Sequence, residues 1–356
     1  MPLKTRRIPV HFQLTLFVMT WLAPSLHAET ISIPLDGDIQ AAIDAALPFD
    51  ELELAAGVYR LEEPLLPMGK YVTIRGALDQ AGGPASILDG QGKTRHIKCV
   101  NGEIDQTVFE NLVLTNGFAA YAGSISNFGA RPTINNCHFI GNVSTSDAGA
   151  ILNNVSRPIV TNCVFRDNVA NFSGGAVCNY NSSDATFTSC SFSGNQARTG
   201  GAMVNLSTSD PVLTDCTFIG NDARNGGGLA SRTGSRPAIL ASSFIENTAK
   251  ELGGGIYAED EASAPVLAGT SFCGNHPGAI DGPWSDDGGN CLSGACPLCP
   301  VPCPADIDLD GDIDGADLAF LLGDWGESGS AGDLNDDGTV NGADIALILG
   351  VWGSCP

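Results

Sequence analysis

Two acidic segments near the carboxyl end carry the residues best suited to chemistry. They align at an offset of 27 residues, with oxygen-bearing side chains at positions 1, 3, 5, 9 and 12, and with glycine at position 6. Oxygen ligands at these positions, a backbone carbonyl at position 7 and a sharp turn at the glycine suit a hard cation. We therefore predict two Ca²⁺ ions, with the candidate ligand residues Asp306, Asp308, Asp310, Asp312, Asp314 and Asp317 in the first loop and Asp333, Asn335, Asp337, Thr339, Asn341 and Asp344 in the second.

Each loop runs into a segment in which apolar residues recur at i, i+3, i+4 and i+7, which predicts a short amphipathic helix. These residues are Leu318, Leu321, Leu322 and Trp325, then Ile345, Ile348, Leu349 and Trp352. Duplicated loop–helix units without an entering helix resemble a dockerin domain, a pair of F-hands, over residues 304–353. The resemblance implies calcium binding and a cohesin-like protein partner, although Gly315–Ala316 and Gly342–Ala343 replace the usual recognition pairs. The alternative is that calcium only folds this segment.

Three basic residues form a second candidate site. Arg198, Arg224 and Lys250 each follow a repeated asparagine by three positions. Stacked in successive repeats, they would form a basic stripe on an otherwise acidic protein, and a subsite for an acidic polysaccharide is one interpretation. Solvated turn residues are the other.

Two groups can be distinguished among the twelve cysteines. Cys137, Cys163, Cys190 and Cys216 lie at equivalent repeat positions, where buried thiols are favoured over disulfides. The other group, in a Cys/Pro/Gly-rich stretch, contains candidates for disulfides or for a zinc site. Cys303 and Cys355 bracket the calcium-binding segment, so we predict that they form a disulfide.

The elements that must position these residues come from a repeat of about 26 residues. Six segments share Phe-x-x-Asn, with phenylalanine at 139, 165, 192, 218, 244 and 272. We expect the side-chain amides of these asparagines to stack as a ladder at a turn, where they satisfy the backbone and one another. A Gly/Ala cluster and an aliphatic or similar residue follow the first five. Each repeat predicts about three short strands, and stacking of equivalent strands in parallel would bury a continuous core. Earlier strands are predicted around 52–54, 72–74, 87–88, 97–99 and 112–114, after a helix that starts at Asp38 and closes the open end.

This pattern resembles the right-handed parallel β-helix of pectin-lyase-like proteins and the repeats of polymorphic outer-membrane adhesins. The expected fold class is therefore an all-β right-handed parallel β-helix solenoid with a small α-helical calcium-binding, dockerin-like C-terminal domain. The resemblance implies polysaccharide binding or degradation; a non-catalytic cell-surface adhesin or structural protein is the alternative. Residues Ile87–Gly92 resemble an early coil of glycosidase-type β-helices, an element that is usually structural.

Residue evidence for catalysis is weak. Acid–base hydrolysis needs two carboxyl groups about 5–10 Å apart, and no series of acidic and basic motifs on successive coils has the pattern of pectinolytic enzymes. We assign no catalytic residues. If the protein is an enzyme, a polysaccharide hydrolase or lyase is expected.

Composition and charge limit the partners. The 356 residues include 17 basic and 40 acidic side chains, a net charge of −23. This balance argues against nucleic acid and anionic membranes. Residues 1–28 read as a secretion signal, because their apolar run is too short to span a bilayer. We expect a secreted protein, extracellular or attached to the cell surface, with a β-helix over 29–285, a linker over 286–303, a dockerin-like domain over 304–356 and no membrane span.

Overall fold

The computed structural model describes residues 28–293, 307, 312–313, 315–326, 332, 334–335, 338–350 and 352–354. The predicted signal lies outside these residues apart from Ala28, as do Cys303 and Cys355. No helix among the described residues is long and apolar enough to cross a membrane.

The chain winds into a parallel β-helix whose coils contribute strands to three long sheets. Sheet A contains Thr30–Ile33, Glu51–Leu54, Thr73–Gly76, Val108–Glu110, Thr133–Asn135, Ile159–Thr161, Thr186–Thr188, Val212–Thr214, Ala238–Leu240, Val266–Ala268 and Ser285–Asp286. Sheet B contains Gly57–Arg60, Ser86–Asp89, Leu112–Thr115, His138–Ile140, Val164–Arg166, Ser191–Ser193, Thr217–Ile219, Ser243–Ile245, Ser271–Cys273 and Cys291–Ser293. Sheet C contains Ile97–Cys99, Ile125–Phe128, Ile151–Asn154, Val177–Tyr180, Met203–Leu206, Leu229–Ser231, Ile256–Ala258 and Ile280–Asp281.

Shorter strands lie between sheets B and C along the chain. One small sheet contains Phe118–Ala119, Val143–Ser144 and Val169–Ala170, and another contains Asp222–Asn225 and Thr248–Leu252. A 3₁₀ turn covers Glu261–Ser263. All of these strand pairs are parallel, as stacking of equivalent repeat positions requires.

The sequence predicted the early coils well but incompletely. All five strands predicted before residue 115 are present within two residues of their expected bounds, whereas Thr30–Ile33, Gly57–Arg60 and Val108–Glu110 were not predicted. The last strand of sheet B, Cys291–Ser293, pairs with Ser271–Cys273 although the sequence places it in the linker. Its short length and the glycines before it hide the strand pattern.

A helix, α1 (Ile39–Ala45), covers the first coil as expected. The Asp38 carboxylate accepts a hydrogen bond from the Ala41 N–H at 3.0 Å, which caps the helix start. Ile39 and Ile43 join the solenoid core. The Lys70 ammonium donates to three carbonyl oxygens at the other end of α1, at 2.7–2.9 Å, which fixes the helix on the solenoid.

Repeat positions stack inside the solenoid in register. The six phenylalanines of Phe-x-x-Asn are fully buried, and neighbouring rings stack with centroids 4.5–5.0 Å apart. The four equivalent cysteines lie beside them, are at most 2% exposed and form no disulfide, which confirms the expected buried thiols.

Two asparagine ladders satisfy buried polar groups. In the turn ladder, as the sequence predicted, each side-chain amide donates to a backbone carbonyl, and all but the last also donate to the next asparagine Oδ1: Asn142, Asn168, Asn195, Asn221, Asn247 and Asn275. A second ladder, the sheet ladder, was not predicted. It runs through sheet C and consists of Asn127, Asn153, Asn179 and Asn205. The Nδ2 of each of the first three donates to the next Oδ1 at 2.8 Å.

The described part of the C-terminal segment contains two helices, α2 (Gly315–Gly323) and α3 (Gly342–Gly350). Asp312–Ile313 pairs antiparallel with Gly353–Ser354. Ile313, Leu321, Val340 and Ile348 form a small core of their own.

Candidate functional site

A groove of about 540 Å³ opens at the ends of early sheet B strands. It lies on the outside of the solenoid, so it is separate from the phenylalanine core. Three adjacent coils and the small sheet that follows them supply its walls, and its lining consists of Arg60, Asp89, Gln91, Gly92, Asn116, Gly117, Phe118, Gly141 and Val143.

One wall of the groove is polar. Arg60 and Asp89 are paired positions on neighbouring parallel strands, so both side chains point outward side by side. The Asp89 Oδ1 accepts hydrogen bonds from the Gln91 N–H at 2.9 Å and from the Asn116 amide at 3.0 Å. The Gln91 amide in turn donates to the Glu62 carboxylate at 3.1 Å. These bonds hold the Asp89 carboxylate in place through Oδ1.

The opposite wall is apolar. Phe118 is 38% exposed, and it pairs in register with Val143 on the next coil. Gly117 lies between the two walls. A β-carbon at Gly117 would collide with the Gly123 carbonyl and the His96 ring, so this close approach requires glycine.

His96 supports the groove from behind. It is fully buried, with Nε2 at 2.9 Å from the Thr115 carbonyl oxygen and Nδ1 at 2.9 Å from the Ser124 hydroxyl. Because a carbonyl can only accept, we assign the proton to Nε2, and Nδ1 accepts from Ser124. Burial lowers the pKa of His96 to about 4, so the ring is neutral near pH 7. It is a positioning residue for the Gly117 turn.

The groove is equipped to bind polar, hydroxyl-rich molecules. It combines a carboxylate acceptor, a guanidinium donor, two amides and an aromatic ring. Of the described residues that line it, Asp89 is the one carboxylate. The paired acids that glycoside hydrolysis requires are therefore not supplied by its lining.

The predicted basic stripe lies elsewhere on the solenoid. The Arg224 N–H donates to the Arg198 carbonyl at 3.0 Å, so these residues stack on adjacent coils as expected. However, the Arg224 guanidinium forms an ion pair with Glu251 at 2.7 Å. This contact raises the pKa of Arg224 and lowers that of Glu251. The acidic neighbour was not anticipated, and it offsets one of the three positive charges.

The predicted calcium loops are only partly within the described residues. Asp306, Asp308, Asp310, Asp314, Asp333 and Asp337 lie outside them, as does the side chain of Asp312. The two carboxylates at position 12, Asp317 and Asp344, are buried in equivalent places. Asp317 accepts from the Ile307 N–H at 2.6 Å, and Asp344 accepts from the Leu334 N–H at 3.0 Å. Hydrogen bonds from backbone N–H groups, chiefly that of Asn341, lower the pKa of Asp344.

The remaining described ligand candidates flank Asp344. The Asn341 Oδ1 accepts from the Ala343 N–H at 2.8 Å, while its amide donates to the Thr339 carbonyl. Asn335 contributes its own N–H to Asp344 at 3.3 Å. Among the residues that the structure describes, no three His, Cys, Asp or Glu side chains cluster as a metal site. The donors present are oxygens, the type that Ca²⁺ prefers.

The helices after these loops bury fewer apolar side chains than their periodicity predicts. Leu321 and Ile348 are buried, and Leu318 and Ile345 are half-buried. The other members of the two apolar faces are exposed, together with Phe320 and Leu347: Leu322, Trp325, Leu349 and Trp352. Periodicity identifies an apolar face, but the small core of this segment has room for only part of it.

Sequence analysis missed the groove. Arg60, Asp89 and Asn116 are 29 and 27 residues apart, in coils whose repeat pattern is weak. The Ile87–Gly92 coil was noted, but as a structural element. The available signal was the polar residue Asp89 at the end of an apolar strand, and only the pairing of coils shows what lies beside it.

A family model described as a right handed beta helix region matches residues 124–281. Similar solved structures include pectate lyase Pel9A, with 13% identity and a TM-score of 0.42, covering 74% of this chain and 78% of that chain. PL6 family alginate lyase AlyGC has 15% identity and a TM-score of 0.42, covering 69% of this chain and 38% of that chain. A rhamnogalacturonan lyase has 9% identity and a TM-score of 0.38, covering 70% and 74%.

No curated protein sequence matches the chain. The family match and the parallel stacking of coils together define the class of protein. It is a right-handed parallel β-helix, and most of the groove lining precedes the matched region, in which Gly141 and Val143 lie.

Proposed function

We propose that this protein binds a polysaccharide in the groove beside Phe118. The observation that carries the proposal is the polar wall of Arg60, Asp89 and Asn116 opposite an exposed aromatic ring. Sugar rings present hydroxyl groups around their edge and C–H groups on their faces. Carboxylate, guanidinium and amide groups can hydrogen-bond the edge while the aromatic ring covers a face. The groove volume is within the range of small-ligand sites.

Binding without cleavage is the activity that the lining supports best. Asp89 is the one carboxylate of the described lining, and Glu62 is already engaged by Gln91. Hydrolysis would require a second carboxyl group brought by a neighbouring segment. Cleavage is therefore an outcome of the test rather than part of the proposal.

We propose further that the C-terminal segment binds two Ca²⁺ ions and attaches the exported solenoid to a cohesin-like protein. The equivalent acceptor contacts of Asp317 and Asp344 support paired loops. Exposed side chains of α2, of α3 and of the residues that follow each helix supply an apolar surface of the kind that marks protein contacts: Phe320, Leu322, Trp325, Leu347, Leu349 and Trp352. Residues 1–28 would direct export.

A polysaccharide panel tests the groove proposal. The full chain, with Ca²⁺ present, is assayed for retention, for new reducing ends and for unsaturated products. Retention that weakens on Phe118→Ala but not on Phe128→Ala supports binding in the groove, because Phe128 is an exposed aromatic residue on sheet C outside it. Unsaturated products would instead show a lyase, and new reducing ends alone a hydrolase. Equal retention of both variants would exclude the groove as the binding site.

A second candidate function, adhesion without glycan recognition, is favoured by the outer face of sheet A. Over six coils this face carries twelve outward side chains, none of them charged: Thr133, Asn135, Ile159, Thr161, Thr186, Thr188, Val212, Thr214, Ala238, Leu240, Val266 and Ala268. A flat uncharged face can lie against another surface. Cell-surface retention that is lost on Thr188→Lys, with glycan binding unaffected, would support this function.

A further inference from the structure

The charge arrangement of the groove bears on which glycans it can accept. We infer that its ligand is a neutral glycan and that polyuronates are disfavoured. This inference rests on the proposed function, because it specifies the ligand of the same groove. Three observations carry it: the local charge of the groove, its hydrogen-bonding groups and the commitment of the solenoid's cations to other contacts.

The local charge does not favour an anion. Arg60 is the one cation among the described lining residues, and Asp89 occupies the paired position on the next strand. Strands in register are about 4.8 Å apart, so the carboxylate opposes the attraction that Arg60 would exert on a uronate. Glu62 adds a second negative charge behind Gln91, at 3.1 Å from its amide.

The hydrogen-bonding groups of the groove suit hydroxyls. A hydroxyl both donates and accepts, so it can donate to Asp89 while it accepts from Arg60 or Asn116. A ligand carboxylate only accepts, and it would face the Asp89 carboxylate across a short distance. Hydrogen bonds to a charged acceptor are the stronger class, so Asp89 gains most from a ligand that donates.

Part of the solenoid's positive charge is committed elsewhere. Residues 28–293 contain 14 basic and 28 acidic side chains, a net charge of −14. Five of the ten arginines in this range form ion pairs with carboxylates: Arg75, Arg157, Arg166, Arg224 and Arg232. Lys70 is held on the carbonyls of α1. A polyanion would therefore meet a repulsive field along the solenoid.

The test compares matched hexasaccharides by calorimetry with the full chain. The neutral probes are glucan, mannan, xylan and galactan hexamers, and the acidic probes are galacturonate, mannuronate and guluronate hexamers. We expect at least one neutral hexamer to bind more tightly than every acidic one. Its affinity should change less than about twofold between low and high salt, because no net charge is neutralised.

Two variants examine the assigned residues. Asp89→Asn keeps acceptors for Gln91 and Asn116 but removes the charge, and it should weaken neutral binding by roughly tenfold. Asp167→Asn, an exposed acid on a turn outside the groove, is the matched control and should have no effect. If Asp89→Asn fails to fold, Phe118→Ala against Phe128→Ala tests whether the preferred hexamer occupies the groove without altering the hydrogen-bond network, and the comparison of neutral with acidic hexamers still tests the preference.

The outcomes separate this inference from the proposed function. Tighter binding of a uronate hexamer that depends on Phe118 would overturn the neutral-ligand inference and leave glycan binding in place. Uronate binding that is lost when Arg198, Arg224 and Lys250 are all replaced by alanine would overturn both and assign the basic stripe instead. Failure of every hexamer to bind would also reject both.

Discussion

The sheet ladder permits a quantitative comparison of the same substitution at four stacked positions. Asn153 and Asn179 each accept one hydrogen bond and donate another within the ladder. At the ends, the Asn127 Oδ1 and the Asn205 Nδ2 have no partner among the described residues, and all four side chains are fully buried. Alanine at an inner position therefore leaves a polar group on each of two neighbouring asparagines without its hydrogen-bond partner, whereas alanine at an end position does so on one.

The expected magnitudes follow from this count. A buried polar group left unsatisfied costs about 1–3 kcal/mol. The volume lost on Asn→Ala is the same at each position, so the cavity contribution largely cancels between variants. Asn153→Ala and Asn179→Ala should each lower the free energy of unfolding by about 2 kcal/mol more than Asn127→Ala or Asn205→Ala.

Urea unfolding followed by circular dichroism measures the difference. With a slope of about 3 kcal/mol/M for a domain of this size, about 2 kcal/mol corresponds to a midpoint difference of about 0.7 M. Asn171→Ala is the control, because Asn171 is exposed on a turn between sheets B and C. Solenoids can lose cooperativity, so the slopes of all five variants must agree before midpoints are compared. Equal destabilisation at inner and end positions would refute the ladder reasoning.

Three further outcomes are expected. The pKa of His96 is about 4 in the folded protein, against 6.5 for an exposed histidine. As the pH falls, the unfolded chain therefore takes up the proton first, and the free energy of unfolding decreases between about pH 6.5 and about pH 4. The free energy of unfolding should decrease by up to about 3 kcal/mol over this range. Urea midpoints measure the decrease, which should be smaller in His96→Gln. Six buried thiols should resist maleimide: Cys99, Cys137, Cys163, Cys178, Cys190 and Cys216. Burial keeps the reagent away from them and also raises the pKa of Cys99, Cys163 and Cys178. Calorimetry with Ca²⁺ should show two ions, and Asp344→Asn should weaken one.

Each of these outcomes has a control. If the dependence of stability on pH is unchanged in His96→Gln, it must arise from another group. For the thiols, the six cysteines should react in urea, and rapid labelling without urea would contradict their burial. For calcium, Asp324→Asn should retain both ions, because Asp324 follows α2 outside the loops; calcium binding that is unaffected by Asp344→Asn would exclude its predicted ligand role.

The repeat was readable from sequence because its physical basis is local. Phe-x-x-Asn places an apolar ring and an amide at fixed steps along a strand and its turn, and stacking at one spacing then brings like residues together. The phenylalanine stack, the buried thiols and the turn ladder were predicted for this reason. The sheet ladder could also be aligned, but Asn127, Asn153, Asn179 and Asn205 resemble ordinary turn residues until the strands of sheet C are known.

The groove was decided by tertiary structure alone. Arg60, Asp89 and Asn116 come from coils of unequal length, and no periodicity relates them. Their proximity depends on the number of residues in each loop before the chain returns to sheet B. The Arg224–Glu251 contact has the same origin, since a lengthened turn places the glutamate beside the arginine. Sequence by itself determined the coil, its core and the oxygen-rich loops; only the stacking of irregular coils determined which polar side chains meet outside that core.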